Sequence, residues 1–228
     1  MSNRTIKAVS FDAAGTLIHL SEPVGSSYSK VAAKFGLEAD PEALNRAFRH
    51  IWAHTPAPFS TTAEQNDPNE KSWWRRLVSK VFDEAGHPFD SEASFEPFFQ
   101  ALYDHFESPG TWLADQDALE TLAIVSENLP TVILSNFDYR LRRILEDLSL
   151  LHYFDEVFLS CEQGASKPDP KLFRIVSQSI GHPPGEIIHV GDDPECDWKG
   201  AEQAGFAHFK TGKGQRPLSE LLRELSLA

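Results

Sequence analysis

Four segments of this chain end an apolar run with polar groups of the kinds that attack or bind an electrophile. Ile6 to Phe11 opens into Asp12-Ala13-Ala14-Gly15-Thr16, and Thr131-Val-Ile-Leu134 into Ser135-Asn136. Glu156-Val-Phe-Leu159 precedes a loop carrying Lys167-Pro168-Asp169-Pro170, and Ile187-Ile-His-Val190 runs into Gly191-Asp192-Asp193-Pro194-Glu195-Cys196-Asp197. An aspartate at the first tip is a nucleophile or metal ligand, or else a cap for the turn that follows. Read singly, Ser135 would be a helix N-cap and Lys167 a surface residue pinned by the next proline. The recurrence of one design four times favours chemistry over these local roles, because adjacent parallel strands bring their tips together at the edge where open α/β sheets bind ligands.

The elements that must position these tips follow from periodicity. The four apolar runs, rich in β-branched residues and closed by turn formers, read as buried parallel strands. From Asp115 the chain alternates helix and strand: helices over 118–128, 139–148, 171–180, 197–204 and 217–227, and strands over 131–134, 156–160, 187–190 and 206–209. Such alternation with short connections predicts a parallel sheet covered on both faces. Between Leu17 and Asp115 lie roughly ninety residues with helical periodicity and almost no strand signal, too many for a simple strand-to-helix connection. Helices are expected there over 25–35, 41–53, 70–85 and 94–106. The fold class is therefore α/β: a Rossmann-like parallel-sheet core of residues 1–17 and 111–228, with residues 18–110 inserted as a helical cap. The polar, proline-bearing stretch from Thr55 to Asn69 reads as either a mobile loop or a specificity loop facing the site.

Composition narrows the partners. With 34 acidic against 21 basic residues the formal net charge is -13, and no basic run is present. A nucleic-acid surface needs clustered Lys and Arg to displace counterions, so that partner is excluded. No apolar stretch nears the roughly twenty residues of a membrane span, and a signal-peptide core is missing, which points to a cytoplasmic protein, monomer or homodimer. The two cysteines, Cys161 and Cys196, have no metal-ligand spacing and are expected to be free thiols. The nine histidines show neither HxH nor HExxH spacing, so core or surface roles are expected for them.

The four tips, in order, resemble the motifs of the haloacid dehalogenase superfamily, and within it the haloacid dehalogenase-like hydrolase domain-containing protein three group, through Pro23-Val-Gly25, Ser135-Asn-Phe-Asp138, Lys167-Pro-Asp-Pro170 and the spacing from Gly191-Asp192 to Asp197. The resemblance implies an aspartyl nucleophile, Asp12, and a Mg2+ site. The metal would be held by the Asp12 carboxylate, the Ala14 backbone carbonyl and Asp192, with Asp197 bound directly or through water and Asp193 in an outer position. Only oxygen donors are offered, which suits Mg2+. Ser135, Asn136 and neighbouring backbone N–H groups would bind phosphoryl oxygens, and Lys167 would balance charge between phosphate and Asp12. The partner implied is a small phosphorylated molecule.

One position departs from that pattern. Phosphatases of the superfamily normally carry a second aspartate two residues after the nucleophile as general acid and base, and here that residue is Ala14. General acid–base help is worth about 100- to 10,000-fold. The expected activity is therefore a Mg2+-dependent phosphohydrolase of low or narrow scope. A catalytically weak phosphometabolite-binding or interaction protein is the alternative, with a dehalogenase or phosphonatase-like hydrolase behind it. Gly191-Asp192 argues against dehalogenation, since haloacid dehalogenases carry a Ser-Asn type pattern there and need no metal; a phosphonatase needs a cap lysine, for which Lys30, Lys34, Lys71 and Lys80 qualify by location. The cap residues Trp52, His54, Phe59, Trp73, Trp74, Arg75, Arg76, Phe98 and Phe99 are the candidates for substrate contact, although most of these aromatics suit a small cap core.

Overall fold

The computed structural model describes residues 5–55 and 70–227. The chain folds as two compact units, one ending at His19 and resuming at Leu113, the other spanning Leu20–Trp112. The expected boundaries lay two residues earlier at each junction.

The first unit is built on five parallel strands in the order β5-β4-β1-β6-β7. They are β1 (Ala8–Phe11), β4 (Thr131–Ser135), β5 (Glu156–Leu159), β6 (Ile187–Gly191) and β7 (Ala207–Lys210). Every residue of β1, β4 and β6 is buried, as near-continuous apolar runs require when helices cover both faces. The register sets Phe11 beside Ile133 of β4 and beside Val190 of β6. Asp12, Ser135 and Gly191 consequently leave the sheet at one carboxyl edge, with the first tip between the other two.

Helices α5 (Gln116–Asn128), α6 (Arg140–Asp147), α7 (Ser160–Gln163), α8 (Pro170–Ser179), α9 (Gly200–Ala204) and α10 (Glu220–Glu224) complete this unit. Leu172, Phe173 and Val176 of α8, with Ala201 and Phe206, pack on Ala8, Val132, Leu134 and Ile187. The final helix is shorter than the 217–227 expected: Ser226 takes a positive φ of 59° and the Leu227 N–H returns to the Leu222 carbonyl, a left-handed termination that the apolar repeat of this segment does not reveal.

The second unit holds α1 (Val24–Ala33), α2 (Pro41–His54), α3 (Glu70–Glu84) and α4 (Glu92–His105). Its core is aromatic: Tyr28 stacks on Phe82 with centroids 5.9 Å apart, and Trp73, Phe95, Phe98 and Phe99 join them. Trp73, Phe98 and Phe99 are thus core residues, and Arg75 is spent on Glu92 and Glu96. Trp52 remains 49% exposed while stacking on Phe48 and Trp74. Phe59 and the stretch from 56 to 69 lie outside the described residues. Two short strands, β2 (Ile18–Leu20) and β3 (Trp112–Ala114), pair as a separate ribbon. They fall where the chain leaves the first unit and returns to it, and at three residues each they are too short to show period-2 alternation, so no strand was expected there. Among the described residues no helix is long and apolar enough to cross a membrane.

Helix α2 is capped by Asp40, whose carboxylate accepts from the N–H groups of Glu42 and Ala43, with Pro41 in the first turn. Helix α1 has no side-chain cap of its own, since Pro23 stands at that position. Asn45 of α2 supplies it instead, its Oδ1 accepting from the Gly25 N–H at 2.7 Å. The approach is so close that a Cβ on Gly25 would stand 2.1 Å from the Pro41 carbonyl oxygen, which accounts for the glycine of Pro23-Val-Gly25. Asn45→Ala leaves that buried N–H unsatisfied and should cost about 1–3 kcal/mol in urea unfolding. Asn45→Asp keeps an acceptor against the positive end of α1 and should lose less than half as much. Equal losses for the two would refute the cap.

Candidate active site

Asp12 is fastened at the sheet edge by its own N–H, which donates to the Val190 carbonyl at 2.8 Å. Its side chain is buried, and Oδ1 accepts from the Ser135 hydroxyl at 3.1 Å and from the Lys167 ammonium at 2.6 Å. Lys167 is buried too and donates also to Asp197 Oδ1 at 2.6 Å. One ammonium therefore joins two buried carboxylates. Asp197 accepts two further bonds, from His189 Nε2 at 3.0 Å to Oδ1 and from the Asp193 N–H at 3.0 Å to Oδ2. Asp192 completes the group, with the Thr16 hydroxyl 3.5 Å from its Oδ1.

Local sequence explains each placement. Asn136 clamps the Lys167 backbone: its Oδ1 accepts from the Lys167 N–H at 2.7 Å and its Nδ2 donates to the Lys167 carbonyl at 2.9 Å. The peptide that follows, Lys167–Pro168, is cis. Asp169 then caps α8, accepting from the Lys171 N–H at 2.8 Å, with Pro170 in the first helical turn. Asp193 likewise caps the next turn, its Oδ1 accepting from the N–H groups of Glu195 and Cys196. From Pro194 to Lys199 the backbone winds as a wide π turn, with the Trp198 N–H reaching back to the Asp193 carbonyl. This turn folds Asp197 over Gly191, where any Cβ would sit 2.3 Å from the Asp197 Cγ. Gly191 is required by that contact.

Burial dominates the electrostatics. It drives the Asp12 carboxyl upward, and although Lys167 opposes the shift, Asp197 adds to it, leaving Asp12 at about 6. Burial works against the charge of Lys167 as well, yet Asp12 and Asp197 outweigh it and hold the ammonium above its usual value. Asp197 lies well below the carboxylate range because Lys167 and His189 overcome its desolvation. Asp192 is raised by burial and by Asp197 and Asp193. The Cys196 thiol is pushed up to about 12, first by burial and then by Asp193, so it is no nucleophile here; both cysteines are free.

Carboxylate oxygens of Asp12, Asp192 and Asp197 all lie within 4.8 Å of one another. Three hard oxygen donors so placed, with Asp12 and Asp192 held above their ordinary pKa by burial and by the neighbouring Asp197, could accept a divalent cation such as Mg2+. His189 is not one of the three, and its Nε2 is taken up by Asp197 Oδ1.

All seven residues singled out in the sequence, Asp12, Ala14, Ser135, Asn136, Lys167, Asp192 and Asp197, lie on the tips at this edge. Ala14 sits in the turn that bridges to Ile18, and the Cβ that Gly15 lacks would stand 2.5 Å from Asp192 Oδ2. Two features escaped the sequence reading. The side-chain amide of Asn136 is taken up by the Lys167 backbone, and Ser10 with His189 forms a buried polar pair beneath Asp197. The signal for the second was present, since each is a polar residue inside a fully buried strand.

The class of protein is defined by a parallel α/β sheet with a helical insert and a carboxylate–ammonium centre at the carboxyl edge of the sheet. Comparison with known proteins names the family. The model of haloacid dehalogenase-like hydrolases matches residues 6–205, and the chain belongs to that family. It is 33% identical over 220 residues to the mouse (Mus musculus) haloacid dehalogenase-like hydrolase domain-containing protein 3, covering 96% of this chain and 86% of that one. Among solved structures, the magnesium-bound putative HAD-hydrolase YfnB of Bacillus subtilis superposes with a TM-score of 0.75 at 16% identity, covering 97% and 99% of the two chains. The defluorinating L-2-haloacid dehalogenase Rha0230 gives 0.76 at 18%, covering 99% and 98%. At such identities the likeness is one of fold.

The opposite shifts of the two carboxylates make a test. Asp12 has a folded pKa above its unfolded value, so its ionisation destabilises the fold as pH rises from about 4 to 6. Asp197 has a depressed pKa, so its contribution is present above about pH 4 and lost as pH falls through the folded value. In chelator at pH 7.5, Asp12→Asn should melt at or above the native temperature. Asp197→Asn should melt lower, by on the order of 10 °C, because it removes the ionised carboxylate that offsets the buried Lys167 ammonium and leaves one oxygen acceptor where the Lys167, His189 and Asp193 donors had two. A melting temperature for Asp197→Asn equal to that of Asp12→Asn would contradict this account.

Proposed function

We propose that this protein is a Mg2+-dependent phosphohydrolase of low or narrow activity, acting on a small phosphate ester through an Asp12 phosphoenzyme. The observation that carries the reading is the convergence of Ser135 and Lys167 on a single oxygen of Asp12 while Asp192 and Asp197 stand within metal-sharing distance. Such an arrangement suits attack by a carboxylate on a phosphoryl group, because two anions meet only if cationic groups offset their repulsion.

In this reading Asp12, Asp192 and the Ala14 carbonyl would hold Mg2+, with Asp197 inner or water-linked. Bound there, Mg2+ supplies positive charge against the phosphoryl oxygens and the carboxylate. Lys167 donates to Asp12 and to a phosphoryl oxygen. The Ser135 hydroxyl and the backbone N–H groups after it bind the remaining oxygens; the Asn136 side chain, engaged with Lys167, supports that ammonium rather than the phosphate. Asp12, with a pKa near 6 from protein groups alone, is mostly ionised at neutral pH. Its attack on phosphorus forms the acyl phosphate and expels the alkoxide, which takes a proton from solvent; water then attacks the phosphorus, releasing inorganic phosphate and regenerating the carboxylate. At position 14 a methyl group can neither protonate the alkoxide nor deprotonate the water, so leaving-group quality should govern the rate. The magnesium-bound state named for the Bacillus subtilis protein is in keeping with this site. We infer a cytoplasmic protein, monomer or homodimer, whose partner is a small phosphorylated molecule.

Ala14 also favours a second reading, a phosphometabolite-binding protein with residual catalysis. An activated aryl phosphate separates the two: the enzyme should turn it over only with Mg2+ present, and Asp12→Asn should abolish the turnover. Chelator-insensitive chloride release from a haloacid would instead identify a dehalogenase.

Restoring the missing carboxyl probes the same point from the other side. Ala14→Asp should accelerate hydrolysis of sugar phosphates by about 100-fold or more, with a smaller gain on aryl phosphates whose phenolate leaves unprotonated. Steady-state rates on both substrate types, with Mg2+ binding checked by calorimetry, decide it. Equal rates for variant and native protein would favour the binding reading.

A further inference from the structure

Ser10 and His189 are cross-strand partners on β1 and β6, the central strands of the sheet, and both side chains are fully buried. Neighbouring positions on these strands are Ala, Val, Phe and Ile, and a serine–histidine pair there costs desolvation that an apolar pair would not. The pair is wired in one direction. Ser10 Oγ lies 2.8 Å from His189 Nδ1, and His189 Nε2 lies 3.0 Å from Asp197 Oδ1, the same oxygen that takes the Lys167 ammonium at 2.6 Å. Phe173 meets the imidazole edge-on at 5.3 Å and closes its flank.

The chemistry of the donors fixes the protons. Asp197 is held ionised by Lys167 and offers acceptors only, so Nε2 carries the hydrogen. Nδ1 is then bare and accepts from the Ser10 hydroxyl. We propose that Ser10 and His189 are positioning residues: the chain Ser10 O–H to Nδ1, Nε2–H to Asp197 locks the Asp197 carboxylate so that Lys167 is shared with Asp12 instead of collapsing onto Asp197. The terminal torsion of an aspartate is soft, and lysine carries its charge on a flexible stem. With the imidazole on one side of Oδ1 and the Asp193 N–H on Oδ2, Asp197 keeps one orientation, and Lys167 has one place to stand.

The kinetic part of this inference rests on the phosphohydrolase reading; the hydrogen-bond part does not, and the experiment separates them. In full-length protein labelled with 15N-histidine, long-range 1H–15N correlation at neutral pH should show His189 as the Nε2–H tautomer with an unprotonated Nδ1. The signal is assigned by its loss in His189→Gln. In 15N-lysine-labelled protein the Lys167 ammonium should give a slowly exchanging resonance, retained in His189→Gln, whose amide N–H can stand in for Nε2–H, and lost in His189→Leu, which fills the volume without a donor. An Nδ1–H tautomer, or a Lys167 signal unchanged in His189→Leu, overturns the proposal whether or not the protein hydrolyses phosphates. With aryl phosphate and Mg2+, His189→Leu should lower kcat by about 10- to 100-fold with little change in KM, and His189→Gln should recover most of it. Equal kcat losses in the two variants would show that the ring serves packing alone. Should His189→Leu fail to fold, Ser10→Ala replaces it: Asp197 keeps the Nε2–H tautomer, the Nδ1 resonance moves as it loses its donor, and a smaller kcat loss is expected; a native Nδ1 resonance and native kcat would count against the proposal.

Discussion

The structure turns on one ammonium between two buried carboxylates. Lys167, Asp12 and Asp197 together carry a net negative charge in a place from which water is largely withdrawn. Removing Lys167 would leave two desolvated carboxylates uncompensated, whereas removing Asp12 leaves a balanced pair. The excess negative charge is uneven in its effect: it falls on Asp12, whose carboxyl is raised, while Asp197 stays firmly ionised. A site so biased keeps the Asp12 carboxylate less stabilised than that of Asp197, and it has the most to gain from a cation beside Asp12 and Asp192.

Much of the surrounding sequence serves to hold that ammonium in place. Asn136 grips the backbone of Lys167 on both its N–H and its carbonyl, Asp169 and Pro170 start α8 immediately behind it, and Asp193 starts the wide turn that carries Asp197 back over Gly191. Residues of one motif thereby act on the residues of another. The Asn136 amide belongs to the tip of β4 but does its work on the loop after β5. Asp193 adjoins the metal-suited Asp192, yet its carboxylate caps a turn and its N–H steadies Asp197.

The family and the fold do not by themselves choose a reaction. The chain superposes well on a magnesium-bound hydrolase and on a dehalogenase alike, and what distinguishes the chemistry is which atoms face the nucleophile. Here three carboxylates stand close enough to share a metal, and the methyl group of Ala14 can neither give nor take a proton. Those two features pull toward different rates and not toward different folds, which is why the proposed activity is a slow or selective one.

The elements that carry the site were legible in the sequence because their signal is local. Apolar runs of four to six residues ending in Asp, Ser-Asn or Gly-Asp announce buried strands and their tips, and helices α2, α3 and α5 advertise themselves by their period. Strands β2 and β3, at three residues, carry too little pattern to register, and the end of α10 depends on a left-handed Ser226 that periodicity cannot show. Within the site, sequence alone determined which residue types arrive at the sheet edge. What each atom does there was decided by the tertiary structure: that Asn136 would turn its amide to the Lys167 backbone, that Asp193 would cap while Asp197 holds the ammonium, and that Ser10 and His189 would meet across β1 and β6. Hydrogen-bond partners separated by 31, 155 and 179 residues are set by strand register and loop geometry. No local pattern encodes that register; it emerges only when the strands pair and the charges, once buried, must find one another.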